Sequence, residues 1–154
     1  QDGDVQLRGP NVMRGYHGMP EATAKVLDAD GWFRTGDMGQ LDADGFLSIT
    51  GRIKEMLIVG GENVLPREIE SVLEAHPDVE ACGVIGRSDD KRGEVPVAFV
   101  ELRDDSPLQP AELRSWAAER LAPYQCPREV LVVENLPRNP AGKVQRRALH
   151  ALLP

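Results

Sequence analysis

Cysteine and histidine are scarce, two of the first and three of the second in 154 residues. Cys82 and Cys126 stand apart without metal-ligand spacing, and His17, His76 and His150 are scattered. Neither a zinc site nor a disulfide framework is indicated, and two free thiols in a reducing cytosol is the expectation. Positive charge is in deficit too: 18 Lys and Arg face 25 Asp and Glu, for a net charge of −7. General nucleic-acid binding normally needs a basic stripe, so it is excluded as a leading function. No apolar run is long enough to span a bilayer and no signal peptide is present, so a cytoplasmic location is expected. The chain begins with Gln1 instead of Met, which reads as a piece of a longer chain or a processed product. There is no G-x-x-x-x-G-K-[ST] motif and no dinucleotide fingerprint, so Gly60-Gly61 is not a phosphate loop of either kind. Asp28-Ala-Asp-Gly31 and Asp42-Ala-Asp-Gly45 lack the further oxygen ligands of a calcium loop and read as Asp/Gly hairpin turns. No metal ligand is expected in this chain.

What remains has the composition of a globular protein, 41% hydrophobic and 28% charged. The length suits one domain, or a small domain with an appendage. Residues 1 to about 50 read as short strands and turns. Asp4-Val-Gln-Leu-Arg8 alternates as a half-buried strand does, and Phe46 to Thr50 is another strand. Pro20 to Leu27 is a short helix opened by proline. A different texture begins after Arg52. Met56 to Val59 is a strand. Pro66 opens a helix with Glu68 and Glu70 in its favourable first turns and Ile69, Val72 and Leu73 as its apolar stripe. Strands follow over Val79–Ile85 and Val95–Leu102. A second helix starts at Pro110 and is stopped by Pro123. Glu129 to Val133 is a strand, and Val144 to Leu153 a closing helix. This order predicts an α+β fold, a small sheet covered by helices, over residues 53–154, preceded by a short β-rich remnant over residues 1–52.

One segment carries several cations with no acid among them. Pro137-Arg-Asn-Pro-Ala-Gly-Lys-Val-Gln-Arg-Arg147 contains no acid from Arg138 to Arg147. Pro137 and Pro140 fix backbone angles and Gly142 permits a tight bend, so the segment reads as a turn presenting Lys143. A cationic tip on an acidic chain suits an anionic ligand, although a basic segment alone is usually a solvated face. Two other segments carry similar chemistry. In Trp32-Phe-Arg-Thr-Gly-Asp37, a carboxylate on a glycine turn can accept hydrogen bonds from two neighbouring hydroxyls, as on a ribose. In Gly51-Arg-Ile-Lys-Glu-Met-Leu-Ile-Val-Gly-Gly-Glu-Asn-Val-Leu-Pro66, the Arg52 guanidinium offers a donor fork to phosphate or ribose oxygen. Its bland alternative is a surface pair with an acid such as Glu55.

These three segments, in this order, resemble the adenylate-forming superfamily: acyl-CoA synthetases, nonribosomal peptide adenylation domains and beetle luciferases. The resemblance runs from Gly9 to Arg147. It implies that Asp37 binds the ribose of ATP and of the acyl-adenylate, with Arg52 near the nucleotide. Lys54 matches the hinge about which a mobile C-terminal domain turns between two half-reactions. Gly60, Gly61 and Glu62 match the loop that lines the thiol tunnel after that turn. Lys143 matches the lysine that reaches the carboxylate and the α-phosphate of ATP, and its surroundings are similar to those of lysines acetylated in acyl-CoA synthetases. The substrates implied are a small-molecule carboxylate, ATP and CoA, with AMP released. Mg2+ is expected for the intact enzyme, with no ligand for it here.

Gly60 to Pro66 looks like fatty-acyl and related CoA ligases, which points to fatty acid metabolism. The alternatives are a nonribosomal adenylation enzyme, separated by whether free CoA or a carrier-protein arm accepts the acyl group, and a stand-alone module that binds nucleotide or a partner without turnover. The phosphate-gripping Ser/Thr/Gly-rich loop and the acyl pocket are missing. The chain is therefore expected to be the tail of a large N-terminal AMP-binding domain, residues 1–52, plus a complete mobile domain, residues 53–154. Alone it is expected to be inactive, and self-association through exposed strand edges is expected.

Overall fold

The computed structural model describes residues 3–154. Two compact units divide the chain, residues 1–54 and residues 55–154.

The first unit is a three-stranded antiparallel sheet in the order β1 (Gly3–Leu7), β2 (Phe33–Leu41), β3 (Leu47–Arg52). The helix α1 (Pro20–Val26) lies between β1 and β2 in sequence, with proline in its first turn where a missing N–H costs nothing. Both Asp-Ala-Asp-Gly segments fold alike. Asp28 Oδ1 accepts the N–H groups of Asp30 and Trp32 (3.0 and 2.9 Å), and Asp42 Oδ1 those of Asp44 and Phe46 (3.0 and 2.8 Å). Gly31 and Gly45 follow at φ +83° and +86°. The first turn is closed by an antiparallel bridge from Leu27 to Phe33, and the second joins β2 to β3. Both are turns formed by the aspartate's own side chain. Among the described residues of this unit Val5 is the one buried hydrophobic, at 9% exposure, while Leu41 and Phe46 are largely open, at 70% and 72%.

The second unit holds a five-stranded sheet ordered β5 (Glu62–Val64), β4 (Leu57–Val59), β7 (Gly93–Leu102), β6 (Val79–Asp89), with β8 (Glu129–Val132) parallel to β7. Alternate residues of the long β6–β7 hairpin face opposite sides, as the pleat requires. Cys82, Val84, Ala98 and Val100 pack against Ile69 and Leu73 of α2 (Pro66–Glu74) and Leu113 and Ala117 of α3 (Pro110–Ala118). Ile85, Val97 and Phe99 pack against Leu136 and against Leu149 of α4 (Arg146–Leu149). The indole N–H of Trp116 donates to the Val72 carbonyl at 2.9 Å and ties α3 to α2. Gly83 has a packing reason: a methyl group there would lie 2.8 Å from a Leu149 methyl carbon. The result is an α+β sandwich, a small sheet with helices over one face and the chain's closing segment over the other.

Three elements of the second unit differ from the sequence reading. The strand β5 was not expected, and Gly60-Gly61 therefore turns between two strands instead of between a strand and a helix. The closing helix is shorter, a single turn over Arg146–Leu149 followed by a 3-10 turn over His150–Leu152, because Val144 is held in an antiparallel bridge with Arg138. The helix α3 ends at Ala118, ahead of Pro123. No helix among the described residues is long and apolar enough to cross a membrane.

Candidate functional site

In the first unit, the β2–β3 register sets Asp37 directly opposite Arg52. Arg52 Nε lies 2.9 Å from Asp37 Oδ1, with the arginine side chain 63% exposed and the carboxylate 23%. Asp37 sits within β2, after Gly36 at φ +76°, not on a free turn. The Thr35 hydroxyl braces it, accepting the Asp37 N–H at 3.0 Å and donating to the Val5 carbonyl at 2.9 Å. The two nucleotide-binding candidates thus form one unit on a sheet, and Arg52 pairs with Asp37 where Glu55 had been the expected alternative. The described contact uses one guanidinium nitrogen and one carboxylate oxygen. The remaining donors and acceptor suit a ligand that carries hydroxyls beside phosphate.

Lys54 is exposed in a 3-10 turn over Ile53–Glu55, and the first compact unit ends at it.

In the second unit, Gly60 and Gly61 form the two-residue connection of the β4–β5 hairpin, with Val59 paired to Glu62. Their φ values are +62° and +92°. Left-handed backbone at both central positions is what a type I′ turn demands. The Gly60 N–H donates to the Arg92 carbonyl at 2.8 Å, and Glu62 is exposed beside the turn. A methyl group at either glycine would meet open space, so only the backbone angle resists substitution. Gly61→Ala is expected to destabilise the unit by about 1–2 kcal/mol, read from a urea unfolding midpoint. An unchanged midpoint would mean that the turn tolerates a side chain.

Lys143 ends a three-residue hairpin loop. Asn139 N–H donates to the Lys143 carbonyl (2.8 Å), and Gly142 N–H to the Asn139 carbonyl (2.8 Å). Asn139, Pro140 and Gly142 occupy the first, second and fourth positions that a type I turn favours, and Gly142 is left-handed at φ +79°. Outside the loop, Arg138 donates to the Gly142 carbonyl at 3.3 Å and to Glu101 of β7 at 2.9 Å. Lys143 is exposed. Among the described residues no hydrogen bond joins this loop to the glycine hairpin.

One cluster escaped the sequence reading. Glu70, expected in the first turns of α2 for its charge, is only 3% exposed. It accepts the Val84 N–H at 2.9 Å and takes Arg146 Nη2 on both oxygens at 2.9 and 2.7 Å, with Nε at 3.1 Å. Arg146 Nη1 also donates to Glu55. Burial opposes the Arg146 charge, but the hydrogen bonds and field of Glu70 and the field of Glu55 outweigh it and raise its pKa. Burial, with Glu70 and Glu74 nearby, pushes the Cys82 thiol well above its usual value. The network ties the segment after Lys143 to the residue after Lys54. Its sequence signal was an acid between the two deepest positions of the α2 stripe. No group of three or more His, Cys, Asp or Glu among the described residues could hold a metal ion.

Residues 68–143 match the family model described as the AMP-binding enzyme C-terminal domain. The 2-succinylbenzoate–CoA ligase of Geobacillus kaustophilus is 48% identical over 152 residues, 99% of this chain and 31% of that protein. The feruloyl-CoA synthase of an Amycolatopsis species is 46% identical over 144 residues, 94% of this chain and 29% of that protein. Among solved structures, the Bacillus subtilis o-succinylbenzoate CoA synthetase in complex with its acyl-adenylate intermediate superposes with a TM-score of 0.88 at 41% identity. That match covers 97% of this chain and 30% of the other. The chain therefore spans about a third of the length of the relatives it matches. Neither relative is named for a fatty acid, so the Gly60–Pro66 sequence goes with CoA ligases without fixing the acid.

Proposed function

We propose that this chain, whose residues 68–143 match the family model of the AMP-binding enzyme C-terminal domain, serves as the C-terminal part of an AMP-forming acid–thiol ligase. The reaction has two halves. A carboxylate oxygen attacks the α-phosphorus of ATP, giving the acyl-adenylate and pyrophosphate. The thiol of CoA then attacks the acyl carbon, giving the thioester and AMP. The observation that carries this reading is an exposed lysine on a hydrogen-bonded hairpin, in a chain matched over nearly its whole length by CoA ligases.

In this reading Lys143 neutralises the charge that builds on the phosphoryl oxygens during the first step and orients two anions that otherwise repel. Asp37 holds the ribose hydroxyls while Arg52 lies along the nucleotide. Lys54 is the pivot, a role supported by its place as the last residue of the first compact unit. The Gly60-Gly61 turn and Glu62 line the path of the thiol. The intact enzyme is proposed to work with Mg2+, and since the described residues offer no cluster to hold it, no step here is assigned to a metal.

A preceding domain is proposed to supply the acyl pocket and phosphate loop. The near-absence of a core in residues 3–54 supports this, because a three-stranded sheet with one buried hydrophobic needs a further surface to pack on. The chain alone is proposed not to adenylate, and acid-dependent pyrophosphate release by residues 1–154 would refute that.

Asp37→Asn in the intact enzyme tests the nucleotide assignment. It keeps the shape but removes the charge-assisted contacts, and the KM for ATP is expected to rise about tenfold, the equivalent of one such hydrogen bond. Because Arg52, the partner that loses its charge pair, is largely exposed, the unfolding midpoint should move little. An unaltered KM would remove Asp37 from the nucleotide site.

A further inference from the structure

Resting on the reading of Lys143 just given, we propose that Asn139 is the positioning residue for that lysine. One side-chain oxygen organises the whole apex. Asn139 Oδ1 accepts the backbone N–H of Ala141 at 3.0 Å and that of Lys143 at 2.9 Å. The backbone of the same residue closes the loop from both sides, donating to the Lys143 carbonyl and accepting from Gly142, each at 2.8 Å. Both backbone groups of Lys143 are therefore held by Asn139. Among the described residues no other hydrogen-bonds to both.

The chemistry requires this. A lysine side chain has four rotatable bonds and its ammonium is a point charge, so its placement depends on how firmly the backbone that launches it is held. Arg138 clamps the loop from outside through Gly142 and Glu101, but it does not touch the Lys143 backbone. Pro140 restricts Asn139 to extended backbone, which presents its side chain across the turn. Removing the oxygen leaves the hairpin tethered at its base and lets the Lys143 backbone drift. A displacement near 1 Å of a group that must meet a transition state costs up to about a hundredfold in rate.

The experiment uses the intact enzyme and three variants, Asn139→Ala, Asn139→Thr and Lys143→Ala. Two half-reactions are read separately: carboxylate-dependent exchange of pyrophosphate into ATP, and CoA-dependent consumption of supplied acyl-adenylate. Asn139→Ala is expected to lower kcat of the first by about 10- to 100-fold with KM for ATP nearly unchanged, and to leave the second within about twofold. Asn139→Thr, whose hydroxyl oxygen can accept the same N–H groups without adding charge, should recover most of the loss. Full activity of Asn139→Ala overturns the proposal. So does an equal loss in both half-reactions with a lowered unfolding midpoint, or a threonine variant no better than alanine. Lys143→Ala separates the two levels of inference: if it adenylates normally, the reading of Lys143 fails first.

Discussion

Lys143→Ala in the intact enzyme is expected to lower carboxylate-dependent ATP–pyrophosphate exchange by about two to three orders of magnitude, the scale of losing one preorganised charge at a developing oxyanion. Thioester formation from supplied acyl-adenylate should stay within about threefold, because the phosphoryl transfer is already over. The asymmetry is the informative part. A lysine that merely packed or solubilised the second unit would affect both halves together. Lys143 is exposed on a turn whose order comes from Asn139 and Arg138. Lys143→Arg should not restore the exchange, since a planar fork replaces a compact ammonium at the same tip. Equal losses in the two half-reactions would contradict the role assigned here.

Arg146→Ala is expected to cost the second unit about 3–5 kcal/mol, because it strands a buried carboxylate. Glu70 would keep only the Val84 N–H among its strong partners, with Arg67 3.9 Å away. The measurement is a urea or thermal unfolding curve of wild type against variant. The matched control is Arg138→Ala. Its ion pair with Glu101 lies nearer solvent, with the arginine 39% exposed, and should be worth about 1 kcal/mol or less. If the two variants unfold alike, the Glu70–Arg146 pair is not the structural anchor its burial implies.

The legible parts of this chain were those written locally. The Asp28 and Asp42 turns could be read because an aspartate followed by glycine makes its own hydrogen bonds within four residues. The α2 stripe could be read from its period, and the strands β6 and β7 from their apolar runs. Lys143 was legible as the residue a turn presents because Pro140 and Gly142 favour a tight bend just before it. The strand β5 was not, since Glu62–Val64 carries no alternation of its own and becomes a strand only by pairing with β4. Asp37 looked like a turn residue beside Gly36, yet the register opposite Arg52 keeps it in a strand. The Glu70–Arg146 pair lay beyond local reading because its partners are 76 residues apart and only the fold brings them together. Asn139 was visible as a turn former, but its hold on both ends of the Lys143 backbone required coordinates.

The most direct test of the central claim is product identity. Intact protein is incubated with ATP, CoA and a panel of small carboxylates, and nucleotide, phosphate and thioester products are quantified together. The account predicts acid-dependent AMP, pyrophosphate and acyl-CoA in equal amounts. ADP with inorganic phosphate, or ATP bound without acid-dependent turnover, would contradict it.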